Sequence, residues 1–338
     1  MNLQQKIANY TEQYALSDLH IHSDKPISIR VDGEIITFDE DQTEAAQLES
    51  FVNQQLQQVG MLDEFQQQKD ADLAIEIGSY RYRANFYHIS TGLAVVMRKI
   101  DTEIPSMELL GLPEIVHQIS ESENGLILVT GPTGSGKSTS LAAMIDKING
   151  ERQANIITIE DPIEFIHPNK RSIVSQREVG RDTISFSRAL RASLREDPDV
   201  ILVGEMRDLE TIQLALTAAE TGHLVFGTLH TNGAPSTINR IIDVFPPTQQ
   251  DQVRAQLSQA LRMVMTQRLH RKREGKGRVA SFEIMVVNNA VRNLVREQKI
   301  HQLHSVMQTA RAEGMMTMDA SIQSLVSKGE IDPVSLQF

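Results

Sequence analysis

The strongest chemical signal in the sequence is a run of eight residues: Gly131, Pro132, Thr133, Gly134, Ser135, Gly136, Lys137 and Ser138, with Thr139 directly after. Glycines at these intervals let a backbone wrap so that successive N–H groups point at one anion. Lys137 can reach β- and γ-phosphates, and the Ser138 hydroxyl can ligate Mg²⁺. Context strengthens the match. The apolar run 126–129 reads as a buried strand that delivers the loop, and the stretch 141–145 reads as part of a helix. A helix starting near Lys137 would set its positive dipole end beneath the phosphates. The pattern implies binding of a nucleoside triphosphate.

A phosphate loop alone does not separate kinases, GTPases and motors, so the residues around it matter. The apolar run 200–203 leads through Gly204 to Glu205, an acid at a strand end that can hold a Mg²⁺ water or orient an attacking water. A second acidic group, Glu160, Asp161 and Glu164, follows the apolar run 155–159 and so belongs at the carboxyl edge of a sheet, where open α/β sheets bind ligands. Hydrolysis needs a carboxylate that accepts a proton from water. Glu164 and Glu205 are the two candidates, and spacing does not say which is the base.

His223 and His230 bracket the strand 224–229, and an extended strand at about 3.3 Å per residue keeps them from meeting at one atom. His230 falls at the carboxyl end, near the phosphates. His20 and His22 share one face of a strand, which is half a metal site without a third ligand in view. Arg81, Arg83 and Arg98 crowd the end of the first hundred residues. As arginine fingers on a γ-phosphate, one or two of them would be worth about 10³ to 10⁵ in rate.

The elements that must position these residues fall into two groups. In the first, a helix over 3–15, a strand over 18–22, hairpins turning at Asp32-Gly33 and Gly78-Ser79, a polar helix over about 43–58 and a strand over 93–98 imply an α+β domain, 1–101. The segment 101–106 reads as a linker. Over 102–338, apolar strands at 126–129, 155–159, 200–203 and 224–227 alternate with helices, which implies a parallel sheet covered on both faces. One helix is well marked, with Asp208 as N-cap and Gly222 as its stop. After Pro246 and Pro247 the pattern predicts mostly helix with one strand-like run, 279–287.

Composition sets the outer limits. The chain has 338 residues, no cysteine and a net charge of −11. Thiolate zinc sites, disulfides and cysteine nucleophiles are excluded. An acidic chain with 4% aromatic residues is a poor strand-tracking nucleic-acid motor. The first residues lack a signal-peptide core, and no apolar run approaches the roughly 18 to 20 residues that span a bilayer. These features predict a cytoplasmic protein without direct membrane insertion or nucleic-acid binding. A guanine-reading Asn-Lys-x-Asp is approached only by Asn169, Lys170, Arg171 and Ser172, which lacks the acid.

Taken together, 131–138, 158–165, 195–199, 204–208 and 221–231 resemble the Walker A, Asp-box, Walker B and His-box elements of the secretion ATPase superfamily, and within it the type IV pilus retraction ATPases. The resemblance spans nearly the whole chain. It implies a RecA-like P-loop ATPase domain behind a smaller PAS-like α+β domain, with ATP and Mg²⁺ bound between them in a homohexamer. By that likeness Glu164 takes the catalytic-base position, Glu205 the Walker B position, His223 and His230 the His box, and Arg83 and Arg98 the finger positions. Ala290, Val291, Arg292, Asn293, Leu294, Val295, Arg296 and Glu297 are similar to the family's retraction signature, with Val twice in place of Ile. The four-cysteine module of assembly and secretion relatives is missing. The implied work is pilus retraction through an inner-membrane platform protein, with an accessory retraction ATPase as a further partner; assembly or type II secretion is the alternative.

Overall fold

The computed structural model describes residues 2–31, 33–100, 103–274 and 277–332. The chain divides into two compact units, Met1–Glu103 and Ile104–Phe338. Asp32 of the first expected turn and Asp101 and Thr102 of the expected linker lie outside the described residues.

The first unit runs α1 (Leu3–Gln13), β1 (Leu16–His22), β2 (Lys25–Val31), β3 (Glu34–Thr43), α2 (Ala45–Gln58), α3 (Leu62–Gln68), β4 (Asp70–Ile77), β5 (Tyr80–Ile89) and β6 (Gly92–Ile100). Its described strands form one antiparallel sheet in the order β3-β2-β1-β6-β5-β4. Alternation along the strands sends Leu19, Ile21, Ile29, Phe86, Val95 and Met97 to one face, against Leu3 and Ile7 of α1 and Leu48, Val52 and Leu56 of α2. Arg83 and Arg98 alternate with those core residues and therefore belong to the other face, opposite one another across β5 and β6.

The second unit runs α4 (Glu114–Ser120), β7 (Gly125–Thr130), α5 (Lys137–Glu151), β8 (Asn155–Glu160), β9 (Ile173–Glu178), α6 (Phe186–Ser193), β10 (Val200–Val203), α7 (Leu209–Glu220) and β11 (Leu224–Leu229). It continues with α8 (Ala234–Asp243), α9 (Pro247–Ala260), β12 (Leu261–Arg271), β13 (Arg278–Val286), α10 (Asn289–Arg296), α11 (Leu303–Thr309) and α12 (Met318–Ser327). The sheet order is β13-β12-β7-β11-β10-β8-β9. Every neighbouring pair is parallel except β12 with β13. β7, β10 and β11 are buried along their whole length, as strands covered on both faces must be. Ile127, Val129, Leu202 and Phe226 pack with Leu141, Met144 and Ile145 of α5 on one face. Leu126, Leu128, Ile201 and Val225 pack with Ile212 and Leu216 of α7 and Leu257 of α9 on the other. α7 opens as expected, with the Asp208 carboxylate accepting the Thr211 N–H at 2.9 Å.

Two strands depart from the sequence expectation. The chain after Pro247 was expected to be mostly helical, yet β12 is an eleven-residue strand paired with β7 and β13. Its Leu261, Met263 and Met265 are good helix formers, and what holds them extended is burial beside β7, a long-range partner. β9 was also not foreseen. It is a polar edge strand whose alternation is too weak to stand out, with Ile173 at its start left 63% exposed. No helix among the described residues is long and apolar enough to cross a membrane.

Candidate nucleotide site

Parallel pairing aligns the carboxyl ends of β7, β11, β10 and β8 in that order. The phosphate loop leaves β7, His230 follows β11, Glu205 follows β10 after Gly204, and the Glu160–Glu164 segment leaves β8. Residues up to about a hundred positions apart in sequence thus meet along one edge, where ligands of open parallel sheets bind.

The loop itself is built around three glycines with positive φ: Gly131 at +138°, Gly134 at +77° and Gly136 at +86°. At Gly131 a Cβ would stand 2.4 Å from the Gln267 carbonyl oxygen and 2.8 Å from Ser135 Oγ. At Gly136 it would meet Gln267 Nε2 at 2.8 Å. A side chain at Gly131 would have to displace the β12 backbone, whereas one at Gly136 would have to displace the amide end of Gln267. Gly136 caps α5, and the buried Lys137 starts it. Lys137 Nζ donates to the carbonyls of Gly131 at 2.9 Å and Pro132 at 3.0 Å. Burial holds this ammonium below the ordinary lysine value, while the charges of Glu205 and Glu164 pull the other way. Both candidate carboxylates are therefore within electrostatic reach of the loop lysine. Ser138 and Thr139 sit half-buried in the first turn. The buried Ser135 hydroxyl finds no hydrogen-bond partner among the described residues.

β12 supplies the floor of this loop. Gln267 accepts from Ser140 Oγ at 2.7 Å, and Thr266 Oγ1 bonds Thr130 Oγ1 at 2.8 Å. Neither residue was singled out from the sequence, because the strand that carries them was read as helix.

Glu205 contacts the Arg207 guanidinium and lies 3.3 Å from His230 Nε2. Burial pushes its carboxyl up, but Arg207 and His230 together outweigh that and leave it below the usual range. Glu164 is exposed on the loop after β8. His223 lies elsewhere. It stands before β11, where its Nδ1 is 2.9 Å from the Ala218 carbonyl at the end of α7. With the six residues of β11 between them, the two histidines are seven steps and about 23 Å apart at 3.3 Å per residue, so only His230 belongs to this edge.

In the first unit, Arg83 Nε donates to Asp72 Oδ2 at 3.0 Å and Arg98 Nε to Asp18 Oδ1 at 2.9 Å. The Arg98 side chain nonetheless stays 71% exposed. Arg81 is buried. His20 and His22 gain no third ligand: no group of three or more His, Asp or Glu able to hold a metal occurs among the described residues. Burial draws both imidazoles below the ordinary value.

The segment similar to the retraction signature is α10 and its C-cap. Asn288 caps it by accepting the Val291 N–H at 3.0 Å. Val291 and Val295 anchor it in the core, while Ala290, Asn293, Arg296 and Glu297 are exposed and Arg292 and Leu294 half-buried.

A glycine-built anion loop opening a helix, with two carboxylates and a histidine on adjacent strand ends, defines a RecA-like P-loop domain behind a smaller α+β unit. The family model described as Type II/IV secretion system protein matches residues 2–334, and the chain belongs to that family. It is 56% identical over 270 residues to a twitching motility protein of Neisseria gonorrhoeae, covering 80% of this chain and 72% of the relative. It is 48% identical over 323 residues to the type IV pilus retraction ATPase PilT of Pseudomonas aeruginosa, covering 95% and 93%. A crystal structure of the pilus retraction motor PilT with bound ADP superposes with a TM-score of 0.91 at 44% identity, covering 100% of this chain and 96% of that one.

Proposed function

We propose that this chain is the subunit of a homohexameric, Mg²⁺-dependent ATPase that powers type IV pilus retraction and twitching motility from the cytoplasmic side, through an inner-membrane platform protein. The observation that carries the proposal is the 48% identity over 95% of the chain to a PilT retraction ATPase, joined to a phosphate loop whose buried Ser135 hydroxyl and Lys137 ammonium are placed for an anion. An accessory retraction ATPase is a further partner of such a motor.

The residues fit ATP and Mg²⁺. The N–H groups of 131–138 and the Lys137 ammonium would hold the phosphates. The Ser138 hydroxyl and the Glu205 carboxylate, directly or through water, are the oxygens on hand for the metal. When bound, Mg²⁺ neutralises charge developing on the β- and γ-oxygens. One of Glu164 and Glu205 accepts a proton from the attacking water and the other serves the metal. Glu164 takes the first role by family position, and because Glu205 is already tied to Arg207 and His230. His230 orients Glu205 and reports its environment to the loop after β11. Arg83 and Arg98 serve as the finger arginines, from the same or a neighbouring chain. α10 serves force transmission rather than hydrolysis.

The test is Mg-ATP hydrolysis per chain against protein concentration, with mass by light scattering on the same samples and Arg83→Ala alongside. Activity that rises as hexamer forms, with a variant that assembles but turns over slowly, supports the ring motor. Flat activity from a monomeric species overturns it. Substitution of exposed Asn293 and Arg296 is expected to spare hydrolysis and abolish retraction in cells. Retained retraction in that variant removes the role given to α10.

A further inference from the structure

We infer that Glu160, Gln176 and Glu178 form a clamp that positions Glu164 for turnover, an inference that rests on the water-activating role proposed above for Glu164.

The loop 161–167 leaves β8 carrying Glu164, and its backbone is held mainly by side chains rather than by a ladder. Glu178 Oε2 accepts the Ile163 N–H at 3.0 Å. Gln176 Oε1 accepts the His167 N–H at 2.8 Å, and Gln176 Nε2 donates to the Phe165 carbonyl at 2.8 Å. The same Nε2 donates to Glu160 Oε1 at 3.2 Å, which also accepts from Thr158 Oγ1 at 2.7 Å. The backbone of Glu164 itself favours the charged form of the Glu160 carboxyl, against the burial that raises it. Gln176 and Glu178 stand two apart on β9, so both point to the same side of the strand.

Burial shows what these bonds accomplish. Ile163, Phe165 and His167 are buried, and Glu164 and Ile166 between them are exposed. Backbone groups of residues 163, 165 and 167 are pinned, which throws the Glu164 side chain outward as a consequence. On the other side of β8 the loop is limited by Gly204, whose N–H donates to the Ile159 carbonyl at 2.7 Å. A Cβ at Gly204 would come within 3.2 Å of Glu160 Cα. Glu160 is therefore fixed between the strand that leads to Glu205 and the strand that supplies Gln176. A general base must be held to about 0.5 Å, and a misplacement of about 1 Å can cost about a hundredfold in rate. None of the three clamp residues needs to touch nucleotide. They act through Glu164 as positioning residues.

The sharpest test is an isosteric exchange. Gln176→Glu keeps the acceptor for the His167 N–H but replaces the donor toward Glu160 and the Phe165 carbonyl with a second negative charge. The expected result is a fall in kcat of about tenfold to a hundredfold, with the dissociation constant for a fluorescent ATP analogue within twofold of the parent. Glu160→Gln should lower kcat likewise. In the double exchange, Glu160→Gln with Gln176→Glu, a donor at 160 again faces an acceptor at 176, and kcat should recover above both single variants. Circular dichroism melts on all three confirm folding. Parental kcat in Gln176→Glu, or a loss of nucleotide affinity as large as the loss of kcat, overturns the clamp. A double variant no better than the worse single overturns it too. Glu164→Gln is measured in parallel. If that variant turns over normally the role of Glu164 falls, whereas an inactive Glu164→Gln beside a normal Gln176→Glu removes the clamp alone.

Discussion

Replacing Gln267 by Leu tests whether β12 supports the phosphate loop. The Gln267 side chain accepts the Ser140 hydroxyl at 2.7 Å, and both residues are buried, Ser140 to 1% exposure. Leu occupies similar volume but offers no acceptor, so a buried hydroxyl loses its partner, which costs about 1–3 kcal/mol. In a unit of this size each kcal/mol shifts the melting temperature by about 2–4 °C, so a loss near 2 kcal/mol lowers Tm by about 4–8 °C. Ser140→Ala alone leaves the Gln267 carbonyl oxygen unmatched and is also destabilising. With both changes no orphan remains, and replacing both partners by apolar groups can be nearly neutral. A double-mutant cycle by urea denaturation should therefore give a coupling of about 1 kcal/mol or more, beyond the few tenths expected of independent sites. Because Gln267 Nε2 also bounds the space at Gly136, the single variant should bind nucleotide more weakly. Strict additivity of the two changes, with parental affinity for nucleotide, would refute the support role.

Further outcomes follow from the same geometry. Lys137→Ala should abolish tight nucleotide binding in a titration calorimeter, whereas Glu205→Ala should retain binding and lose turnover; unchanged binding in the first would remove the loop assignment. His230→Gln should lower kcat through Glu205, 3.3 Å away, while His223→Gln should leave nucleotide affinity unchanged, since β11 separates it from the loop. Burial pushes the Glu160 carboxyl up to about 7, against the hydrogen bonds from Thr158 and Gln176. The charged groups beside it are Glu164 on the loop and its register partner Glu178 on β9. Between the ordinary carboxylate value and 7 the folded chain thus binds the extra proton, so this residue's contribution to stability falls as pH rises through that window. Melting curves should show Glu160→Gln gaining on the parent from pH 5 to pH 8, even as its turnover drops, and a difference in Tm that does not change with pH would contradict that.

Much of the site was legible because its chemistry is local. The spacing of Gly131, Gly134, Gly136, Lys137 and Ser138 dictates a loop whose backbone curls around an anion, and an apolar strand before it with a helix after it leaves little freedom. Glu205, Glu164 and His230 were legible one step further, as polar residues at the ends of apolar strands, since in a parallel sheet such ends face the ligand edge. Legibility stopped where pairing is long-range. Nothing in the run 224–229 says that it lies between β7 and β10, yet that order is what brings His230 to Glu205. Residues 261–271 fall in a stretch read as mostly helix, and 173–178 carry no strand signal that stands out, because edge pairing and burial beside a distant strand outweigh local propensity. With those strands went Gln267 and Gln176, whose partners lie 127 and 16 positions away. The sequence by itself determined that the chain carries a phosphate-loop pattern, which acids follow the apolar strands, and that an α+β unit precedes a parallel-sheet unit, all properties of contiguous residues. Only the tertiary structure decided the strand order, the floor under the loop and the side-chain hydrogen bonds on the segment that carries Glu164, because each depends on contacts between segments whose proximity is set by the packed sheet and not by spacing along the chain.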